Sequence, residues 1–131
     1  MRVVLVNGSV LIRERLNQML SELEEIEIVG EEQDEIKAIE CIRKVKPDAV
    51  ILDIRLGKGS GINVMREIKK GDPSPTVIIL TNYSNNFYRM KCINTGAAFF
   101  LYKSTEFEQI SGILKEIASK LSNNQHRQVE L

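Results

Sequence analysis

Three residue types that could act together on a phosphoryl group each stand where an apolar run stops. Asp53 follows residues 49–52, Thr81 follows 76–80 and Lys103 follows 98–102, while Asn7 closes a fourth run, 3–6. A carboxylate, a hydroxyl and an ammonium converging beyond unbroken apolar strands are hard to explain by packing alone, because a core gives such groups no benefit. Together they suit phosphoryl transfer to a carboxylate. Asp53 would be the nucleophile forming an acyl phosphate, Lys103 a compact cation for one phosphoryl oxygen, and Thr81 a hydrogen-bond donor to another. Taken singly, Asp53 could turn the chain, Thr81 cap the next helix and Lys103 be the solvated end of a strand. Their joint spacing carries the chemistry.

The elements that must position these residues are legible from hydrophobic period. The four runs have strand length and no polar face, the pattern of strands buried on both sides. Residues 26–29, flanked by glutamates, fit an edge strand protected by charge. Helical spacing appears in Ile12, Leu16, Met19, Leu20 and Leu23 behind a Ser9 cap, and in Ala38, Cys41, Ile42 and Val45 between Asp34 and Pro47. It recurs in Ile62, Val64, Met65 and Ile68, closed by Gly71 and Pro73, and in Phe107, Ile110, Leu114, Ile117 and Leu121 behind a capping box of Thr105 and Glu108. A less regular helix, about 85–95, spreads Phe87, Met90 and Ile93 among polar residues and stops at Gly96. This alternation predicts an α/β fold: a flavodoxin-like (βα)5 doubly wound parallel sheet, strand order 2-1-3-4-5, with helices on both faces. In that order the ends of the core strands are neighbours, where open parallel sheets form their crevices. The domain is expected over residues 1–121, followed by a frayed polar tail at 122–131.

Composition narrows the function classes. With 131 residues the chain fits one domain, and 18 basic against 18 acidic residues leave no net field to draw it to nucleic acid or to a membrane surface. No apolar segment approaches bilayer-spanning length and the N-terminus is too short for a signal peptide, so a cytoplasmic location is expected. Cys41 and Cys92 lack CxxC spacing and read as packed thiols. His126, the sole histidine, lies in the polar tail, which removes histidine-based catalysis and zinc ligation from consideration.

Three segments in order, VILDIRLGKGSGINVMREIKK, LTNYS and GAAFFLYKS, resemble the receiver domain of two-component response regulators, chemotaxis-regulator-like, from residue 3 to about 121. The resemblance implies Asp53 as phosphoacceptor, Thr81 as switch hydroxyl, Phe100 as switch aromatic and Lys103 as phosphate-sensing lysine. It implies a histidine kinase or phosphotransfer protein as phosphate donor and a downstream protein on the face made by the fourth helix, fifth strand and fifth helix, with a homodimer as a further partner. It implies no enzymatic activity beyond self-phosphorylation and dephosphorylation at Asp53.

The pattern breaks after the first strand. Receivers usually carry two adjacent acids there that help hold magnesium, whereas this chain has Asn7 and Gly8. Asp53, the backbone carbonyl of Arg55 and, weakly, Asn7 remain, so magnesium is expected only on a weak site. Arg55 could offset phosphoryl charge or be an ordinary exposed loop residue, and Asn82 is larger than is usual beside the switch hydroxyl. The run 57–61, GKGSG, lacks phosphate-loop spacing and reads as a tight strand-to-helix connection. Two functions fit: a phosphorelay receiver accepting phosphate on Asp53 and switching partner binding, or a phosphorylation-independent pseudo-receiver acting as a protein-interaction module. A third class fits worse. A haloacid-type phosphatase would need an aspartate where Arg55 stands, and a flavodoxin would need a hydroxyl-rich loop where Asn7-Gly8-Ser9-Val10 stands.

Overall fold

Strands with no polar face must be covered on both sides, and the alternation of strand and helix does this here. The computed structural model describes residues 1–82 and 85–130, with side chains as far as Ser122. Tyr83 and Ser84 of the LTNYS segment, and the side chain of His126, lie outside that description. The elements run β1 Arg2–Val6, α1 Val10–Ser21, β2 Glu27–Glu32, α2 Glu35–Val45, β3 Ala49–Leu52, α3 Gly61–Ile68, β4 Thr76–Thr81, α4 Asn86–Thr95, β5 Phe99–Tyr102, α5 Lys103–Glu106 and α6 Gln109–Glu130. The sheet is parallel throughout, in the order β2-β1-β3-β4-β5. This is the flavodoxin-like order that the apolar periodicity predicts.

The two-residue period of the strands divides the core. Val4, Val6, Val50, Leu52, Val77, Ile79 and Phe100 face α2, α3 and α4. Val3, Leu5, Ala49, Ile51, Ile78, Leu80 and Leu101 face Leu16 and Leu20 of α1 and Ile110 and Leu114 of α6. The glutamate-flanked strand is β2, at the sheet edge as its charges require. Ser9 accepts from the Ile12 N–H, Ser60 from Ile62 and Asn85 from Phe87, so three helices start where a side-chain oxygen satisfies a free backbone donor.

Two expectations change. The capping box does not open the last helix: Thr105 lies inside the short α5, and Glu108 reaches Arg15 at 3.5 Å. Phe107 between α5 and α6 is buried, with the Arg15 guanidinium 3.9 Å from its ring centre. The backbone of α6 runs to Glu130, and no glycine or proline interrupts residues 113–130. On α4 the expected apolar face turns outward, with Phe87 63%, Met90 56% and Ile93 43% exposed. Its inward side is occupied by Tyr88 and Cys92.

The connection from β3 to α3 turns back so tightly that Gly61 touches the strand it left. Its N–H donates to the Ile54 carbonyl at 2.7 Å, and a Cβ at position 61 would lie 1.9 Å from the Asp53 carbonyl oxygen. No rotamer relieves a clash with backbone. Gly61→Ala is expected to lower stability by about 3 kcal/mol through forced backbone movement, read as a fall in the urea midpoint at unchanged m-value.

Cys92 is fully buried, and burial pushes its thiol up to about 11 from 9.0. A folded-state value above the unfolded one means that folding retains the proton, so this contribution to stability is complete below about pH 9 and is lost as pH rises from about 9 to 11. Urea midpoints for the native chain and for Cys92→Ala, compared across that window, should converge as pH rises. Parallel curves would contradict this account.

Candidate functional site

β3 ends at Leu52 in register with Val6 of β1, so Asn7 and Asp53 leave the sheet side by side, and the Asp53 N–H donates to the Val6 carbonyl at 2.9 Å. Thr81 ends β4 opposite Tyr102 of β5, and Lys103 is the next residue. Asp53 and Lys103 are thus separated by the width of β4, two strand spacings or roughly 10 Å of sheet. A short carboxylate and a long lysine can close that span, and they do: Lys103 Nζ donates to Asp53 Oδ2, with the side chains 11% and 7% exposed. Thr81, at the end of the strand between them, is fully buried.

These residues line one cleft of about 490 Å³ with Asn7, Gly8, Ser9, Arg55, Leu56, Gly57 and Asn82. The residues singled out for chemistry in the sequence are therefore brought together, with Phe100 apart from them. Phe100 is buried on the α4 side, edge-on to Tyr102 with ring centres 5.6 Å apart and with the Arg89 guanidinium 5.8 Å from its ring centre. It can sense the cleft only through β5 and the residues packed on it.

Asn7 is buried and already engaged. Its Oδ1 accepts the Ser9 N–H at 2.9 Å, a local turn that starts α1, and its backbone carbonyl accepts from Arg13, which also pairs with Glu31 at 3.7 Å. The Arg55 N–H is 3.4 Å from Asp53 Oδ1, a long contact that leaves the carboxylate oriented mainly by Lys103.

The loop of residues 53–61 is held from behind by the start of α2. Gly57 N–H donates to the Gln33 carbonyl, Glu35 N–H to the Lys58 carbonyl, and Glu35 Oε1 accepts from Ser60 N–H and Asn63 Nδ2, all within 3.2 Å. This anchoring presses the Leu56–Gly57 backbone toward β1. A Cβ at position 8 would stand 3.1 Å from the Gly57 nitrogen and 3.4 Å from the Leu56 carbonyl carbon. The Glu35 anchor could not be foreseen from the sequence, since it joins segments about 25 residues apart. Glycine at positions 57 and 59 is the only local hint that another segment approaches closely.

The residues present do not match magnesium. Among the described residues, no three His, Cys, Asp or Glu side chains converge as a metal site. The cleft offers one carboxylate, held by Lys103, and two side-chain amides, Asn7, whose oxygen accepts from Ser9, and the exposed Asn82. Magnesium requires near-octahedral oxygen ligation at about 2.0–2.1 Å and gains chiefly from carboxylates free to reach it. At position 8, glycine supplies none.

Comparison with known proteins agrees with the fold. The chain matches the response regulator receiver domain family over residues 3–115. A protein-glutamate methylesterase/protein-glutamine glutaminase from Methanospirillum hungatei is 31% identical over 124 residues, covering 93% of this chain and 36% of that protein. The sensory transduction protein LytT of Bacillus anthracis is 29% identical across 100% of this chain and 51% of its own length. The chain spans about a third to a half of the curated relatives it matches. Among solved structures, the receiver domain of the putative response regulator NarL from Mycobacterium tuberculosis superposes with a TM-score of 0.82 at 26% identity, covering 90% of this chain and 95% of that one. The response regulator domain of Thermotoga maritima CheB gives 0.79 at 25%, covering 94% and 96%. A parallel sheet of this order, matched over residues 3–115 and ending in Asp53, Thr81 and Lys103, places the chain in the response regulator receiver domain family.

Proposed function

We propose that this chain is a receiver-type signalling module whose Asp53 cleft works without magnesium-dependent phosphorylation, so that it passes a signal by binding a partner. The observation that carries this reading is the donor set. The single cleft carboxylate is neutralised by Lys103, and position 8 has no side chain and is packed against the Leu56–Gly57 backbone. Phosphoryl transfer to a carboxylate brings two negative groups together, and stabilising that charge is the main task of a phosphoryl-transfer site. Lys103, already paired, and the exposed Arg55 are the cations that line the cleft, and neither supplies the double charge of a divalent ion. Output would run through the face of α4, β5 and the last helix, where Phe87, Met90 and Ile93 stand exposed.

A second reading is favoured by a separate observation. Asp53, Lys103 and Thr81 share one cleft, the placement a phosphoacceptor, its sensing lysine and its switch hydroxyl require. On that reading a histidine kinase or phosphotransfer protein phosphorylates Asp53, and the chain switches its partner through Thr81 and Phe100. Magnesium would then depend on Asp53, the Arg55 carbonyl and Asn7.

Intact-mass measurement after incubation with acetyl phosphate, with and without magnesium, separates the two. The metal-independent reading predicts no phosphate adduct in either condition. An adduct that requires magnesium and is lost in Asp53→Ala would overturn it in favour of the second.

A further inference from the structure

Asn7 and Gly8 form the one asparagine–glycine pair in the chain, and it stands where β1 leaves the sheet. Such a pair can close on itself: the glycine nitrogen attacks the asparagine side-chain amide carbon, and no Cβ on the attacking residue hinders the approach. Four features of this turn favour that reaction. Asn7 Oδ1 accepts the Ser9 N–H at 2.9 Å, so a backbone donor is already aimed at the oxygen on which negative charge develops. The ring closed by that hydrogen bond contains the Gly8 nitrogen, which keeps nucleophile and amide carbon within one turn. Among the described residues nothing accepts from the Gly8 N–H, and Gly8 is exposed, so solvent can take its proton. Asn7 Nδ2 has no acceptor among them either and is not sealed from solvent, so the leaving amine is held by nothing. Although Asn7 is largely buried, it borders the cleft of about 490 Å³, which is roomy enough to admit water. Opposing closure, the Asn7 N–H donates to the Glu32 carbonyl at 3.0 Å and the Asn7 carbonyl accepts from Arg13, which slows reorientation of the peptide.

We propose that Asn7 is a self-modification site, at which the folded chain converts its own side-chain amide to a carboxylate without an enzyme, a metal or a phosphate donor. The Gly8 nitrogen loses its proton to solvent base and bonds to Asn7 Cγ. The Cγ–Nδ2 bond breaks, and ammonia departs with the proton that solvent took. One water then opens the five-membered imide, at Cγ to give aspartate or at the main-chain carbonyl carbon to give isoaspartate. One water is consumed, one ammonia is released, and nothing is oxidised or reduced. Because Asn7 and Asp53 leave the sheet side by side, the aspartate product sets a second carboxylate beside Asp53, and Lys103 then faces two. The cleft lining passes from one acid against two cations to two against two. The step is irreversible, so it acts once in the life of each chain. The inference goes beyond the function proposed above and holds under either reading of Asp53.

The test is a time course of the full chain in heavy-oxygen water at neutral pH and physiological temperature, with no phosphate donor present, read by intact mass and peptide mapping. The expected result is uptake of a single heavy oxygen at Asn7, as aspartate and isoaspartate, within the period in which the urea-unfolded chain converts. Gly8→Ala should slow the uptake roughly tenfold, since a Cβ hinders the attacking nitrogen. A Cβ there would stand 3.1 Å from the Gly57 nitrogen, so the urea midpoint verifies that this variant folds. Asn7→Gln, whose amide would have to close a larger ring, is the second variant and should take up no oxygen. If either variant unfolds, the time course of the unaltered chain decides alone. No uptake at Asn7 while the unfolded chain converts, equal uptake at other asparagines, or an unchanged rate in folded Gly8→Ala would each overturn the inference. None of these outcomes bears on phosphorylation of Asp53, which is read from a phosphate adduct.

Discussion

The contact on which this site depends is the ion pair between Asp53 and Lys103 across the end of β4. It joins the two flanking strands, covers Thr81, and decides what the Asp53 carboxylate can do next. Such a nearly buried pair gives up hydration on both sides, and mutual attraction roughly offsets that cost, so its contribution to stability is modest. Removing one partner is another matter, since it leaves a desolvated charge alone, typically at 3–5 kcal/mol. The pair is therefore better understood as a constraint on charge than as a staple: a cation that binds Asp53 must share its carboxylate with Lys103.

The rest of the cleft follows from that constraint and from backbone packing. Gly61 lets the chain fold back onto the Asp53–Ile54 peptide, which fixes where the carboxylate leaves the sheet. Glu35 and Gln33 hold the loop from its far side, and so bring the Leu56–Gly57 backbone up to Gly8. Arg13 and Ser9 tie Asn7 down at its carbonyl and at its amide oxygen. Of these contacts the Ser9 N–H to Asn7 Oδ1 bond engages an oxygen of a cleft-lining side chain, and the others fix the backbone around the cleft.

Much of this was legible in the sequence because it rests on local period. Apolar runs ending at Asn7, Asp53, Thr81 and Lys103 predict both the strands and the residues at their ends, and a parallel sheet with one strand order then makes them neighbours. What the sequence does not reveal is set by tertiary contact. Phe87, Met90 and Ile93 have helical spacing yet point to solvent, because Tyr88 and Cys92 fill the side of α4 that meets the sheet. Thr105 and Glu108 have capping-box spacing, but Arg15 from another helix takes the glutamate. The role of Glu35 as the anchor of the 53–61 loop depends on how β2 and β3 flank β1, and no residue spacing encodes that.

The central claim, that Lys103 and not a metal balances Asp53, is tested most directly by magnesium titration of the chain labelled at the aspartate side-chain carboxyl carbon. The account predicts an Asp53 resonance that does not saturate with magnesium through the low millimolar range, and a resonance that becomes responsive when Gly8→Asp restores a second carboxylate. Saturable movement of Asp53 in the unaltered chain, or a Gly8→Asp chain that binds no better, would contradict it.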